Sequence, residues 1–329
     1  MKQLSPTHQT IYSDLVQWAY NSPEKPGSVY VQKNKGEQYL YVKYRVGKGR
    51  RDEFIGPAND PDAQRRAEDI RNVQNQSKDR RTLVKTLTNA GVPAPTRTLS
   101  YVLDAISDAG LFSDAVLVGT AAYICFSPIT GIILPSASLM TQDLDLATTS
   151  LALGEDTGKT SMLDILKRAD PTFRPIPTLK KAAFSSSFRA DNGFVIDLLT
   201  PAKRRSDENP MPLANLQAGA VPLQHLDWLI ETPVKAIALY GIGIPVKVPE
   251  PARYAAHKLI VAQKRSGSER SKRAKDLLQA KALLQALMET DPYGLQDALK
   301  DAFAQGTRGW KQPMERSLKE LEIKLDDLL

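Results

Sequence analysis

The side chains of this chain best suited to chemistry are three aspartates in two short apolar segments. Asp143 and Asp145 lie two apart in TQDLDLA (141–147), and Asp197 lies inside FVIDLL (194–199). On a strand, residues two apart point to one face. Asp143 and Asp145 then share a face, while Leu144 and Leu146 turn the other way into a core. Neighbouring carboxylates repel, and an unpaired charge in an apolar strand is expensive. A divalent cation offsets both costs, and Mg²⁺ prefers carboxylate oxygens together with substrate phosphates. Three strand-borne carboxylates facing one point suit two-metal phosphoryl transfer, in which one ion activates the attacking oxygen and the other steadies the leaving group. For each aspartate taken alone, a satisfied structural carboxylate is the alternative.

A second element precedes them. In VLVGTAAY (116–123) an apolar strand runs into Gly119 and Thr120 and then into a helix. Such a turn presents backbone N–H groups at a helix N-terminus, where Gly allows close approach of a phosphate and the helix dipole favours its charge.

Other elements must position these residues. Residues 5–20 put Ile11, Leu15, Trp18 and Ala19 on one helical stripe. Residues 28–56 alternate with period two and are punctuated by Asn34-Lys35-Gly36 and Gly47-Lys48-Gly49, which predicts a three-stranded antiparallel meander bearing Tyr30, Tyr39, Tyr41 and Tyr44. Aromatics among Lys and Arg on a small sheet suit nucleic-acid contact, and equally suit packing on a helix. A charged helical stretch, read as two helices, fills 60–90, and Val92-Pro93-Ala94-Pro95 reads as a linker. Thr96–Ala109 is a helix, 160–169 another, and 183–189 with 193–199 a hairpin around Asp191-Asn192-Gly193. A hairpin is also expected within Ser127–Met140, a loop over 201–215, and strands at Val234–Leu239 and Ile244–Val248. Beyond Pro251 the chain reads as helical, with stripes at Leu277, Leu278, Leu283, Leu284, Leu287 and Met288 and at Leu318, Leu321 and Leu325. Strands alternating with helices around an antiparallel hairpin indicate a mixed α/β (α+β) fold. The expected domains are 1–92, 93–249 and 250–329.

Composition narrows the function classes. The 329 residues carry 44 Lys and Arg against 37 Asp and Glu, and 14 basic against 8 acidic residues fall between Ser28 and Lys85. A local surplus of that size attracts polyanions, nucleic acid first among them, when it is not merely a solvated face. A single cysteine, Cys125, excludes a disulfide framework within the chain and multi-cysteine metal sites. The three histidines are too far apart for a local metal motif, and His257 reads as a packed residue. No apolar run approaches membrane-spanning length, and MKQLSPTHQTIYSDL lacks a secretory core, so a cytoplasmic protein with no membrane partner is expected.

The ordered pattern of apolar strand, Gly-Thr, helix, Asp-Leu-Asp strand and later Asp strand resembles the DNA polymerase β-type nucleotidyltransferase superfamily. VGTAAY, TQDLDLA, FVIDLLTP and ARYAAHKLIVAQKR together resemble the bacterial nucleotidyltransferase-like proteins related to abortive-infection and type IV toxin–antitoxin toxins, over roughly residues 97–290. The resemblance implies a nucleotidyltransferase-type mixed sheet with flanking helices, a small N-terminal antiparallel sheet and a C-terminal helical bundle. It implies that Asp143, Asp145 and Asp197 hold Mg²⁺ (or Mn²⁺), and that Gly119, Thr120 and Lys258 contact an NTP such as ATP. Lys275-Asp276 matches a Lys/Arg-Asp pair of those relatives. The activity implied is transfer of an NMP to a hydroxyl, on RNA or a tRNA 3′ end reached through residues 28–85, with protein and small-molecule acceptors as alternatives and an antitoxin as a possible partner. Gln142 stands where relatives often place Arg, which removes a possible phosphate contact. A nucleic-acid-binding scaffold without activity is the rival expectation, and a two-metal nuclease a third.

Overall fold

The computed structural model describes residues 1–21, 26–46, 49–135, 141–148, 161–177, 184–204, 206–207, 209–265 and 267–328. The N-terminal part begins with β1 (Lys2–Gln3) and α1 (Pro6–Asn21), which buries Tyr12, Leu15 and Ala19. Three antiparallel strands follow, β2 (Ser28–Asn34), β3 (Glu37–Val46) and β4 (Gly49–Pro57). The β2–β3 turn has Lys35 at φ 49° and Gly36 at φ 88°, the double left-handed geometry that matches strand twist in a two-residue hairpin. One face of this sheet buries Leu40, Val42 and Ile55 against Ala63 and Ala67 of α2 (Pro61–Asn89).

Helix α2 is one continuous helix of 29 residues rather than two. Asp60 caps its start and Pro61 occupies the first turn, but no Gly or Pro follows before Gly91, so nothing breaks it. Its length lets it serve two cores. Its first turns cover the small sheet, while Val84 and Leu87 pack with Leu15 and Ala19 of α1 and with Ile237 and Leu239 further along the chain. Between them, Arg80 is 4% exposed and donates from Nε to the carbonyl of Ile242 at 3.0 Å and from Nη2 to that of Gly243 at 3.3 Å. Helix α2 is thereby strapped to the β-turn it crosses.

The central part contains α3 (Arg97–Asp108), capped by Thr96, then β5 (Ala115–Val118), α4 (Gly119–Tyr123), α5 (Phe126–Thr130), β6 (Ile132–Ile133) and β7 (Asp143–Thr148). It continues through α6 (Met162–Ala169), β8 (Arg174–Pro175), β9 (Ser187–Arg189), β10 (Val195–Pro201), β11 (Met211–Leu213), β12 (Ala218–Leu223) and α7 (Leu226–Ile230). A separate hairpin, β13 (Val234–Ala238) and β14 (Ile244–Val248), follows. The seven-stranded sheet runs β11-β12-β10-β7-β5, with β9 on β10 and β8 on β9. β10 is parallel to both β7 and β12, and the remaining pairings are antiparallel, so the sheet is mixed.

Two further expectations fail in the central part. The stretch after Ser127 does not fold as a hairpin over its described residues. It continues as α5, and β6 pairs instead with β1, Lys2 opposite Ile133; residues 136–140 of that stretch lie outside the described residues. The expected loop 201–215 contains β11, an edge strand that tolerates Pro212 because an edge position need not donate.

The C-terminal part is helical: α8 (Pro251–Lys264), α9 (Arg270–Thr290), α10 (Pro292–Ala304) and α11 (Gln312–Glu320). Helix α9 packs on α8 and touches α5, so it is buried on more than one side, yet Leu278 and Met288 of the expected stripe are exposed. The last stripe does not extend one helix. α11 stops at Glu320, Glu322 turns left-handed, and Leu325 opens a short 3₁₀ turn.

Truncating Arg80 to Ala strands one buried and one half-buried carbonyl and should lower stability to urea by about 2 kcal/mol. A change under roughly 0.5 kcal/mol, the range of ordinary surface substitutions, would show that the strap does not carry the junction.

Candidate active site

The strand register assembles the acids. Along β7, Leu144 and Leu146 are buried in the core, which turns Asp143 and Asp145 to the opposite face. The parallel pairing of β10 sets Asp197 beside Asp145 and Val195 beside Asp143. Paired residues on neighbouring strands share a face at an interstrand spacing of about 4.8 Å, so all three carboxylates meet on one side of the sheet. On the other flank, antiparallel β5 sets Val118 against Asp145, which brings Gly119 to the acid cluster. Val118, Gly119, Asp143, Asp145 and Asp197 line one cleft of about 610 Å³.

Gly119 is required for two reasons. Its φ is +62°, and a Cβ built there would collide with Oδ2 of Asp145. Its bareness therefore makes room for the carboxylate, where the sequence had suggested only room for a phosphate. The helix that follows is five residues long, so it carries little of the dipole expected of a longer one. The turn is instead clamped from the C-terminal helices. The Tyr254 hydroxyl lies 2.8 Å from the Gly119 carbonyl oxygen and 3.0 Å from Oε1 of Gln279, while Gln279 Nε2 donates to Thr120 Oγ1 at 3.4 Å.

Opposite the acids stands a basic wall. Lys258, 8% exposed, donates to Oδ1 of Asp276 at 2.6 Å and lies 5.2 Å from the centre of the Tyr254 ring. Arg265 Nε donates to the other carboxylate oxygen of Asp276 at 3.1 Å, and Arg265 also pairs with Glu269. Asp276, 3% exposed, is thus a buried anchor that fixes two cations. Lys264, Lys272, Lys275 and His225 complete this side, and Leu199, Val221, Leu226, Leu229 and Val261 make part of the lining apolar.

The electrostatics follow from this geometry. Asp145 is raised to about 6, first by burial of its carboxylate and then by Asp143 and Asp197, against the opposing pull of Lys258 and Lys272. Lys275 is lowered, chiefly by burial, with Asp143 acting in the other direction. His257 lines the cleft but burial drives it down to about 3, helped by Lys258, so it is neutral near pH 7 and stores no proton.

A crowd of carboxylate oxygens is a hard donor set that suits Mg²⁺ or Mn²⁺ and not a soft metal. The mutual repulsion that raises Asp145 is the cost such a cation would remove. Hydroxyls orient two of the acids, Thr141 donating to Asp143 and Ser187 to Asp197. As they stand, among the described residues no group of three or more His, Cys, Asp or Glu side chains is placed to hold a metal ion.

The expected metal and nucleotide residues Gly119, Thr120, Asp143, Asp145, Asp197 and Lys258 line this cleft, and Gln142 does not. Tyr254, Gln279, Ser187 and Thr141 were missed. Tyr254 stands four residues before Lys258 and Gln279 three after Asp276, helical spacings that put each pair on one face and could have revealed them. Cys125 and Trp228 are buried, the indole N–H of Trp228 donating to Asp301 at 2.7 Å.

Because folded Asp145 holds its proton to higher pH than the unfolded chain, stability without metal should fall as pH rises from about 4 to about 6. Asp145→Asn should flatten that dependence and melt no lower than the parent at pH 7.5, in EDTA. Parallel melting-temperature profiles for the two proteins would show that the carboxylate is not under this strain.

Comparison with known proteins bears on this site. No curated protein and no solved structure shows significant similarity to the chain. A family model described as a nucleotidyltransferase matches residues 97–304, well over half of the chain, from the start of α3 to the end of α10 and across the whole cleft. The chain belongs to that nucleotidyltransferase family.

Proposed function

We propose that the cleft transfers a nucleoside monophosphate from an NTP to a hydroxyl group and releases pyrophosphate. The observation that carries this reading is the placement of Asp143, Asp145 and Asp197 on one sheet face, opposite a wall containing Lys258, Arg265, Lys272 and Lys275. Acids on one side and bases on the other are what a metal-bound triphosphate needs. Asp143, Asp145 and Asp197 would hold Mg²⁺ or Mn²⁺. When bound, the divalent ions would neutralise phosphate charge and lower the pKa of the acceptor hydroxyl.

The chain's own residues supply the rest. The wall lysines offset charge on the triphosphate and on the departing pyrophosphate. Asp276 holds the Lys258 and Arg265 side chains in fixed positions, so less ordering is required when nucleotide enters. Tyr254 and Gln279 keep the Gly119–Thr120 turn rigid beside Asp145. The acceptor oxygen attacks the α-phosphorus, the bond to the pyrophosphate oxygen breaks, and the acceptor's proton passes to solvent as the new ester forms. RNA, a tRNA 3′ end in particular, is the acceptor favoured by the surplus of positive charge over residues 28–85. A toxin or phage-defence role, with an antitoxin as partner, rests on the motif resemblance alone. Gln142, in place of a phosphate-binding Arg, favours the second reading, a nucleic-acid-binding protein with an inactive cleft.

Incubation with Mg²⁺, each α-labelled NTP and total RNA separates the readings. Transfer of label to RNA by the parent, reduced about a hundredfold or more in Asp143→Ala, supports the enzyme. RNA binding without transfer by either protein supports the inactive reading, and RNA shortening without NTP indicates a nuclease.

In the same assay Lys258→Ala should raise the KM for NTP about tenfold, the scale of one lost charged contact. Arg265 remains to pair Asp276, so the fold should persist. An unchanged KM would remove Lys258 from nucleotide contact.

A further inference from the structure

The N-terminal sheet has one face committed to packing and one that is not. Leu40, Val42 and Ile55 point toward α2 and form a small core with Ala63 and Ala67. The strand register puts Tyr30, Tyr41 and Phe54 in a row across the other face, Tyr30 opposite Tyr41 and Tyr41 opposite Phe54. The Tyr30 and Tyr41 rings stack with centroids 5.7 Å apart at 24°, and Tyr41 meets Phe54 edge-on at 5.3 Å. Tyr39 extends the patch, 5.9 Å from Phe54, with its hydroxyl donating to Glu37 at 2.6 Å. Phe54 is 57% exposed, and the three tyrosines are only half-buried.

These rings contribute nothing to the core beneath them. A contiguous exposed aromatic patch on a soluble chain marks a contact surface. The charges on this face identify the contact. Lys43 sits 4.9 Å from the centre of the Tyr30 ring, and the alternation of β3 and β4 carries Arg45 and Arg50 onto the same face, paired with each other. Residues 28–57 hold seven basic and three acidic side chains. The basic line continues onto α3, where Arg97 Nε donates to the Tyr101 hydroxyl at 2.8 Å and lies over its ring at 5.5 Å. Asp52 also lies on this face, opposite Lys43 and against Tyr30, but Lys43, Arg45 and Arg50 outnumber it, and flat rings beside a net positive charge match bases linked by phosphates. A protein partner fitting the same charge would have to bring acids beside an apolar patch.

We propose that this face is a docking platform for single-stranded RNA, with two or three bases stacked on the Tyr30–Tyr41–Phe54 row and phosphates running past Lys43, Arg45 and Arg50. A duplex, whose bases are already stacked on each other, has no ring faces to offer it. The choice of RNA over DNA rests on the RNA-acceptor reading above; the stacking platform itself does not.

The test is fluorescence anisotropy of the full chain with 5′-labelled rU12, dT12 and a 12-base-pair RNA duplex, without NTP or Mg²⁺, so that binding is read independently of catalysis. The parent should bind rU12 more tightly than dT12 or the duplex. Phe54→Ala should weaken rU12 binding about fivefold or more, Phe54→Trp should restore it, and Phe54→Leu should not, because stacking and not mere apolarity is at stake. Lys43→Gln should weaken binding and lower the salt dependence by about one phosphate contact. Circular dichroism and melting of each variant guard against misfolding, and Phe54 is exposed enough for substitution to leave the fold intact. Equal affinity for duplex, tighter binding of dT12, or unchanged binding in Phe54→Ala overturns the proposal. So does a parent that binds no RNA, even if it captures a protein through this face. Parent binding that depends on Phe54, together with no label transfer in the nucleotide assay, overturns the enzymatic reading and leaves the platform standing. Label transfer without such binding does the reverse.

Discussion

Three negative charges on one face of a sheet are a destabilising arrangement, and the architecture around the cleft answers to that constraint. Asp145 lies at its centre, with Asp197 beside it on β10, Asp143 two residues away on β7, and the bare Cα of Gly119 on its other flank. Burial and repulsion together lift its pKa to about 6. A side chain at Gly119 would displace the carboxylate, and a one-residue slip of β10 would send Asp197 into the core and Ile196 or Leu198 into the cleft. Register, and the single glycine that allows it, is thus the condition on which the site depends.

The C-terminal helices answer that concentration of charge without collapsing onto it. If Lys258 and Arg265 were free they could swing onto the aspartates and close the cleft. Asp276 prevents this by holding both, and its near-complete burial makes the restraint strong. The same two helices reach the far side of the turn through Tyr254 and Gln279. One pair of helices therefore sets both the basic wall and the rigidity of the Gly119–Thr120 turn, which couples the placement of the two halves of the cleft.

The N-terminal sheet belongs to a different physical regime. The sheet itself contributes three buried apolar side chains to its core, Leu40, Val42 and Ile55, too few to stabilise it free-standing. Helix α2 supplies what is missing by being long and unbroken, with its far turns anchored in the cluster of α1 and β13 and Arg80 pinned across the β13–β14 turn. A rigid strap of this kind holds the aromatic face at a fixed place on the molecule.

Much of this was legible in the chain itself, and the reasons are local. Period-two alternation through Asp143–Leu146 put both acids on one face, Asp191-Asn192-Gly193 announced the β9–β10 hairpin with Gly193 at φ +84°, and Asn34-Lys35-Gly36 announced the β2–β3 turn; the expected turn at Gly47-Lys48-Gly49 lies largely outside the described residues. The signals failed where the deciding contact was remote. Nothing near Ile132 says that it pairs with Gln3, nor near Tyr254 that its hydroxyl meets Gly119, 135 residues away. Phe54 and Tyr41 read as aromatics on a sheet, but which face they take depends on the bulge at Leu40–Tyr41 and on where α2 lies. Periodicity, turn chemistry and charge are properties of a few neighbouring residues, so the sequence alone determined the acid-bearing strands, the meander and the β9–β10 hairpin. Register, the partner of each buried charge and the uncovered face of a sheet arise from contacts between distant segments, and only the tertiary structure decided those.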